Sequence, residues 1–78
     1  MVYEIELWEE NGQMVQETWQ KLSDVIRRIG ELMDAYGIKE ARPVRKGSRL
    51  EIWAPGKRIV VSSTEDPEFE YFIDFLTS

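Results

Sequence analysis

Three glycine-containing turn signals divide much of this chain into short apolar segments. They are Asn11-Gly12, Lys46-Gly47 and Pro55-Gly56, and dipeptides of this kind mark tight turns. The segments beside each turn alternate or concentrate apolar residues, as strands do. The sequence therefore predicts five short β-strands. They cover residues 2–8, 13–19, 40–45, 49–54 and 57–62.

The loop length of the first hairpin decides which of its side chains face the core. A two-residue loop would place Glu6 opposite Glu17 and would scatter apolar residues over both faces. A three-residue loop with Gly12 in the left-handed conformation is therefore predicted. The predicted pairs are Tyr3 with Trp19, Leu7 with Val15 and Trp8 with Met14. This register turns Glu17 inward, so the second strand needs an edge position.

The two later turns predict one inner face for the three strands that they join. The predicted pairs are Ala41 with Ile52, Pro43 with Leu50, Arg42 with Glu51, Leu50 with Val61, Ile52 with Ile59 and Trp53 with Arg58. Because proline cannot donate to a strand ladder, the strand that contains Pro43 is expected at an edge or to be irregular.

Two helices are predicted, one in the middle of the chain and one near its end. Ser23 as N-cap and Gly37 as the left-handed residue past the last turn bound the first helix. Its apolar residues recur at helical spacing and are Val25, Ile26, Ile29, Leu32, Met33 and Tyr36. Gly30 costs roughly 1 kcal/mol relative to alanine there, so we expect a close packing partner for it. Asp66 as N-cap before Pro67 begins the second helix, whose buried stripe is Phe69, Phe72, Ile73 and Leu76.

The order of these elements is ββαβββα in a single domain, residues 1–78. It predicts an α+β fold, with an antiparallel or mixed five-stranded sheet, two helices packed on one of its faces and the other face open. The predicted core contains Ile29, Leu32, Ile52, Ile59, Phe72 and Ile73. With 78 residues and no cysteine, packing alone has to stabilise such a domain.

Composition argues against several classes of function. Histidine is absent, so the chain has no imidazole to act as a general base or to ligate a metal. We expect no enzymatic activity, no catalytic residue, no cofactor, no metal ion and no small-molecule substrate. No apolar run approaches the roughly 20 residues of a membrane span, and the acidic N-terminal segment does not resemble a signal peptide. A soluble, cytoplasmic protein that does not contact membranes is therefore expected.

Charge is strongly segregated along the chain. Residues 1–20 and 59–78 each carry five acids and no base, whereas residues 39–58 carry seven bases and two acids. The net charge of the whole chain is −5. Such polarity indicates a binding surface with a preferred docking orientation.

The predicted registers place a cluster of bases and an aromatic residue on the open face of the sheet. The expected partner-binding residues are Trp8, Arg42, Arg49, Trp53 and Arg58, with Arg45 and Lys46 at the adjoining turn. A purely structural interpretation is also open, in which Arg42 pairs with Glu51 and Arg58 stacks on Trp53.

Three hypotheses for function follow. The first is a non-enzymatic protein-interaction module that uses the open face, because interfaces favour tryptophan and arginine anchors. It would bind a protein partner or a second copy of itself. The second is single-stranded nucleic-acid binding through residues 39–58, which the net negative charge disfavours. The third is a de novo designed domain with no evolved function, because well-formed caps and hairpin signals are typical of idealised designs.

Overall fold

The computed structural model describes residues 1–64 and 66–78. Its elements are β1 (Tyr3–Glu9), β2 (Met14–Trp19), α1 (Leu22–Ala35), β3 (Arg42–Lys46), β4 (Arg49–Ala54), β5 (Lys57–Ser63) and α2 (Pro67–Thr77). Every strand pairing is antiparallel, and the five strands form one sheet in the order β2-β1-β5-β4-β3. The predicted α+β fold and its ββαβββα order are confirmed.

The sheet topology joins distant parts of the chain. Strand β1 lies between β2 and β5, so the first and last strands are neighbours. The two edge strands are β2 and β3. The edge positions expected from Glu17 in β2 and from Pro43 in β3 are therefore confirmed.

The first hairpin has the predicted three-residue loop. Gly12 is left-handed at φ 89°, its N–H donates to the Glu9 carbonyl at 3.0 Å, and the Glu9 N–H donates to the Gln13 carbonyl at 2.9 Å. The observed pairs include Tyr3 with Trp19, Leu7 with Val15 and Trp8 with Met14, as predicted. The predicted pairing of β4 with β5 is also confirmed.

The predicted register between β3 and β4 is wrong by two residues. Pro43 lies opposite Ile52 and Arg42 lies opposite Trp53. The two-residue loop is Gly47-Ser48 rather than Lys46-Gly47, because Gly47 at φ 63° takes the first loop position. Lys46 consequently belongs to the strand. A shift of two residues keeps every side chain on its predicted face.

Helix α1 begins two residues earlier than predicted. Its N-cap is Lys21, which makes no side-chain capping bond, so the assignment of Ser23 as N-cap is wrong. The other end is as predicted, since Gly37 is left-handed at φ 66°. The Gly37 N–H donates to the Asp34 carbonyl at 3.2 Å and the Ile38 N–H to the Met33 carbonyl at 2.8 Å, which is the bond pattern of a Schellman motif.

The buried face of α1 contains fewer residues than its apolar sequence pattern predicts. Val25, Ile29 and Leu32 are buried, whereas Ile26 is 45% exposed and Tyr36 is also exposed. The close packing partner expected at Gly30 is absent, because apart from its chain neighbours and the backbone of α1 no atom of the described residues would lie within 4 Å of a Cβ there.

Helix α2 starts as predicted. The Asp66 Oδ1 accepts from the Glu68 N–H at 3.1 Å, and Pro67 occupies the first turn. The Asp66 Oδ2 accepts a hydrogen bond from the Tyr3 hydroxyl, which ties the start of α2 to β1. Phe69 is fully buried against the edge of the Tyr3 ring, with 5.8 Å between the ring centroids.

The buried apolar residues of both helices and of the sheet form one cluster on a single side of the sheet. Its members are Tyr3, Ile5, Leu7, Val25, Ile29, Leu32, Leu50, Ile52, Ile59, Val61, Phe69 and Ile73. Of the six predicted core residues, five are buried and Phe72 packs against the cluster from a partly buried position. No helix in the described part of the chain combines the length and apolar character that crossing a membrane requires.

Candidate binding face of the sheet

The side of the sheet opposite the core cluster, called the open face here, carries the alternate residues of all five strands. The pairings align these residues in rows across the sheet. One row reads Met14, Trp8, Arg58, Trp53 and Arg42. The next row reads Gln16, Glu6, Val60, Glu51 and Val44. Four of the five expected partner-binding residues therefore share one row, and Arg49 lies on the same face at the other end of β4.

Two tryptophans flank an arginine in that row. Trp8 is 39% exposed and Trp53 is 42% exposed. They stand on β1 and β4 with Arg58 of β5 between them. Strands lie about 4.8 Å apart, so the two Cα atoms are separated by about 10 Å. A cleft of about 330 Å³ lies between them, lined by Trp8, Glu9, Glu10, Trp53, Ala54, Gly56, Lys57 and Arg58.

Both indole rings of the open face are held by a glutamate of the same strand. Trp8 Nε1 donates to Glu6 Oε1 at 3.1 Å, and Trp53 Nε1 donates to Glu51 Oε1 at 2.8 Å. Residues two apart in a strand share a face, so the spacing Glu-x-Trp brings acceptor and donor together. Glu17 and Trp19 repeat this bond at 2.8 Å on the other side of the sheet. The spacing is visible in the sequence, but its significance was missed there.

The ring of Trp53 is contacted by two cations. The Lys46 Nζ lies 5.4 Å from the ring centroid and the Arg58 Cζ lies 5.7 Å from it. The stacking of Arg58 on Trp53 that the structural interpretation requires is thus present. The pairing of Arg42 with Glu51 is not present, because Val44 lies opposite Glu51. Half of the structural interpretation is therefore wrong.

Glu51 is a buried acid in the middle of the open face, opposite the buried Val60. It is only 4% exposed, and it accepts the hydrogen bond of the Trp53 indole. The Arg49 Nη2 is 3.5 Å from its Oε2 and the Arg58 Nη1 is 3.6 Å from its Oε1. A buried carboxylate requires such compensation. Glu51 therefore holds both guanidiniums and the Trp53 ring in one constellation.

The charge segregation of the sequence becomes a gradient across the open face. Four cations on β3, β4 and β5 face solvent, namely Arg42, Lys46, Arg49 and Arg58, whereas Glu4 and Glu6 lie on β1. Arg45 was expected beside these cations, but it does not belong to the group. It lies on the helix side, where its Nη1 is 2.7 Å from the Asp74 Oδ1 and its Nη2 pairs with Glu70. Of the two residues expected at the adjoining turn, only Lys46 therefore lies on the open face.

The chemistry available on this face is stacking, cation contact and hydrogen bonding. Among residues 1–64 and 66–78, no group of three or more histidine, cysteine or acidic side chains is arranged to hold a metal ion. No protein-family model, no curated protein and no solved structure matches this chain. The function is therefore argued from the geometry of the open face.

Proposed function

We propose that this protein is a non-enzymatic interaction module that binds an acidic segment of a partner protein on its open face. The observation that carries the proposal is the row in which Trp8 and Trp53 flank Arg58, with both indoles well exposed although each is fixed by a glutamate. Rigid aromatic side chains lose little conformational entropy on binding, and tryptophan and arginine dominate binding energy at protein interfaces.

The charge gradient favours one orientation for such a partner. The acids of the partner would lie over Arg42, Arg49 and Arg58, and an apolar side chain would enter the cleft beside Trp8. Glu4 and Glu6 would repel an acidic segment that was displaced towards β1. Complementarity of this kind contributes mainly to orientation and association rate.

Single-stranded nucleic acid is the second candidate, favoured by the four cations that surround an exposed tryptophan. Two features weigh against it. Lys46 and Arg58 already contact the Trp53 ring on which a base would stack. Glu4 and Glu6 share the face, and they would repel a phosphate backbone that crossed it.

A cytoplasmic location stays a prediction from composition.

The proposal is tested by selecting peptides from a random displayed library on the immobilised chain. We expect enrichment of peptides that combine aspartate or glutamate with an apolar anchor. Trp53→Ala and Trp8→Ala should each weaken the selected peptide by about 2 kcal/mol, as truncation of interface anchors does. Tyr71→Ala is the matched control, because Tyr71 is an exposed aromatic residue of α2, and this variant should bind normally.

Labelled single-stranded DNA and RNA are titrated in parallel at two salt concentrations. Nucleic-acid binding that falls steeply with salt and requires Trp53 would replace the proposed function with the second candidate. If no peptide is enriched and no nucleic acid binds, the proposal fails. The hypothesis of a designed domain without evolved function is then supported.

A further inference from the structure

The two edges of the sheet differ in what they offer to another strand. In the first hairpin, the Glu9 N–H donates to the Gln13 carbonyl. Because hydrogen-bonded pairs alternate along an antiparallel ladder, residues 15, 17 and 19 bond to β1. The backbone groups of Met14, Gln16 and Thr18 therefore point away from the sheet. They form a free edge with three N–H and three C=O groups.

The opposite edge is blocked. The two-residue loop makes Lys46 and Arg49 a hydrogen-bonded pair. By the same alternation, the backbone groups of residues 43 and 45 point away from the sheet. Pro43 has no N–H, and Arg45 is held by α2 through Asp74 and Glu70. Proline and basic residues are the usual means by which proteins protect a sheet edge. Strand β2 carries none of them.

We propose that the free edge of β2 pairs with β2 of a second copy of this chain. The two strands would run antiparallel about a two-fold axis that passes through Gln16, and the two sheets would join into one. In this register Gln16 of one copy lies opposite Gln16 of the other, and Met14 lies opposite Thr18. Each of these pairs exchanges two backbone hydrogen bonds.

The side chains along this edge are compatible with such a pairing. On the open face the contact residues Met14, Gln16 and Thr18 carry no charge. On the helix side Val15 is exposed and would lie opposite Glu17 of the second copy. The Glu17 carboxylate accepts from Arg28 at 2.8 and 3.0 Å, and these bonds lower its pKa. It therefore meets the second copy as one half of an ion pair.

Pairing through β2 also limits the size of the assembly. A two-fold contact uses the same edge of both copies, so it closes after two chains. Addition of further copies to the dimer would require pairing through its outer strands β3, and Pro43 blocks that edge. The pairing therefore predicts a dimer and excludes a filament.

Charge substitutions at the axis test the register directly. Gln16→Lys and Gln16→Glu each place like charges opposite one another, so each variant alone should dimerise roughly fivefold more weakly than the wild type. A mixture of the two variants should form a heterodimer at least as tight as the wild-type dimer. Tyr71→Lys is the matched control, because it adds the same charge at an exposed position of α2 away from the β2 edge, and it should dimerise normally.

Sedimentation equilibrium over a range of concentrations provides the measurement. The wild type should show a monomer–dimer equilibrium, and Gln16→Pro should be monomeric with an unchanged far-UV circular dichroism spectrum, since its N–H faces outward. A wild type that is monomeric at every concentration overturns the inference. A dimer that survives every Gln16 substitution but is lost in Trp53→Ala also overturns it, because the contact would then be the open face. Peptide binding to that face is measured separately and does not depend on this result.

Discussion

At the scale of single residues, the buried acids of this protein organise their surroundings. Glu51 fixes an indole and two guanidiniums on the open face. Asp66 caps α2 and accepts from the hydroxyl of Tyr3. The donors to Glu51 come from its own strand β4 and from the neighbouring strand β5, whereas Asp66 joins α2 to β1, two elements that are distant in the sequence.

The first prediction concerns the alkaline stability of the protein. Burial and the Asp66 carboxylate raise the pKa of Tyr3 from 10.0 to about 12. A raised folded-state pKa means that the stabilisation is complete below pH 10 and is lost as the pH rises through about 12. Tyr3→Phe should cost about 1–3 kcal/mol at neutral pH, because it leaves Asp66 without this donor.

Urea denaturation of the wild type and Tyr3→Phe between pH 7 and 12 checks this prediction. The difference in unfolding free energy should shrink as the pH passes above 10, since the phenol then ionises in the unfolded wild type. A difference that stays constant over this range would show that the hydroxyl of Tyr3 does not couple to folding.

At the scale of elements, the two helix starts provide a matched comparison. Asp66→Ala removes the bond to the Glu68 N–H and the acceptor for Tyr3, so it should cost about 1–3 kcal/mol. Ser23 lies inside α1, and Ser23→Ala should change stability by less than about 0.5 kcal/mol. Thermal unfolding of both variants measures the contrast. Equal losses would place a cap at Ser23 after all.

Gly30 provides the second prediction at this scale. It is exposed within α1, and apart from its chain neighbours and the α1 backbone nothing in the described part of the chain lies within 4 Å of the position that a Cβ would take. Gly30→Ala should therefore stabilise the protein by about 0.5–1 kcal/mol. Gly37→Ala is the control, because φ 66° disfavours a side chain, and it should destabilise. Loss of stability in Gly30→Ala would reveal a packing contact at this position.

At the scale of the whole molecule, the sequence predicted the architecture because turn chemistry and apolar alternation agree. The first hairpin was predictable in detail, since only the three-residue loop places Val15 and Trp19 on the same face as Ile5 and Leu7. The register of β3 was not, because both two-residue loops at Gly47 keep the same residues inward. Only the left-handed conformation of Gly47 at the first loop position distinguishes them.

The candidate site could likewise be predicted only in part from the sequence. Alternation alone placed Trp8, Trp53 and the arginines on one face. The contact of Lys46 with Trp53 depends on the register of β3, and the burial of Glu51 depends on how its neighbours fold over it. The exposure of Ile26 depends on the orientation of α1 against the sheet. The helical spacing of apolar residues does not predict this orientation.

The central claim is that the row formed by Trp8, Arg58 and Trp53 is the surface that binds a protein partner. The indole N–H resonances of the three tryptophans test it most directly, in nuclear magnetic resonance spectra recorded while the selected acidic peptide is added. Trp8 and Trp53 should shift together and saturate at one dissociation constant. Trp19, which lies on the helix side of the sheet and is bonded to Glu17, should not move. Peptide binding that shifts Trp19 but leaves Trp8 and Trp53 unchanged would contradict the claim.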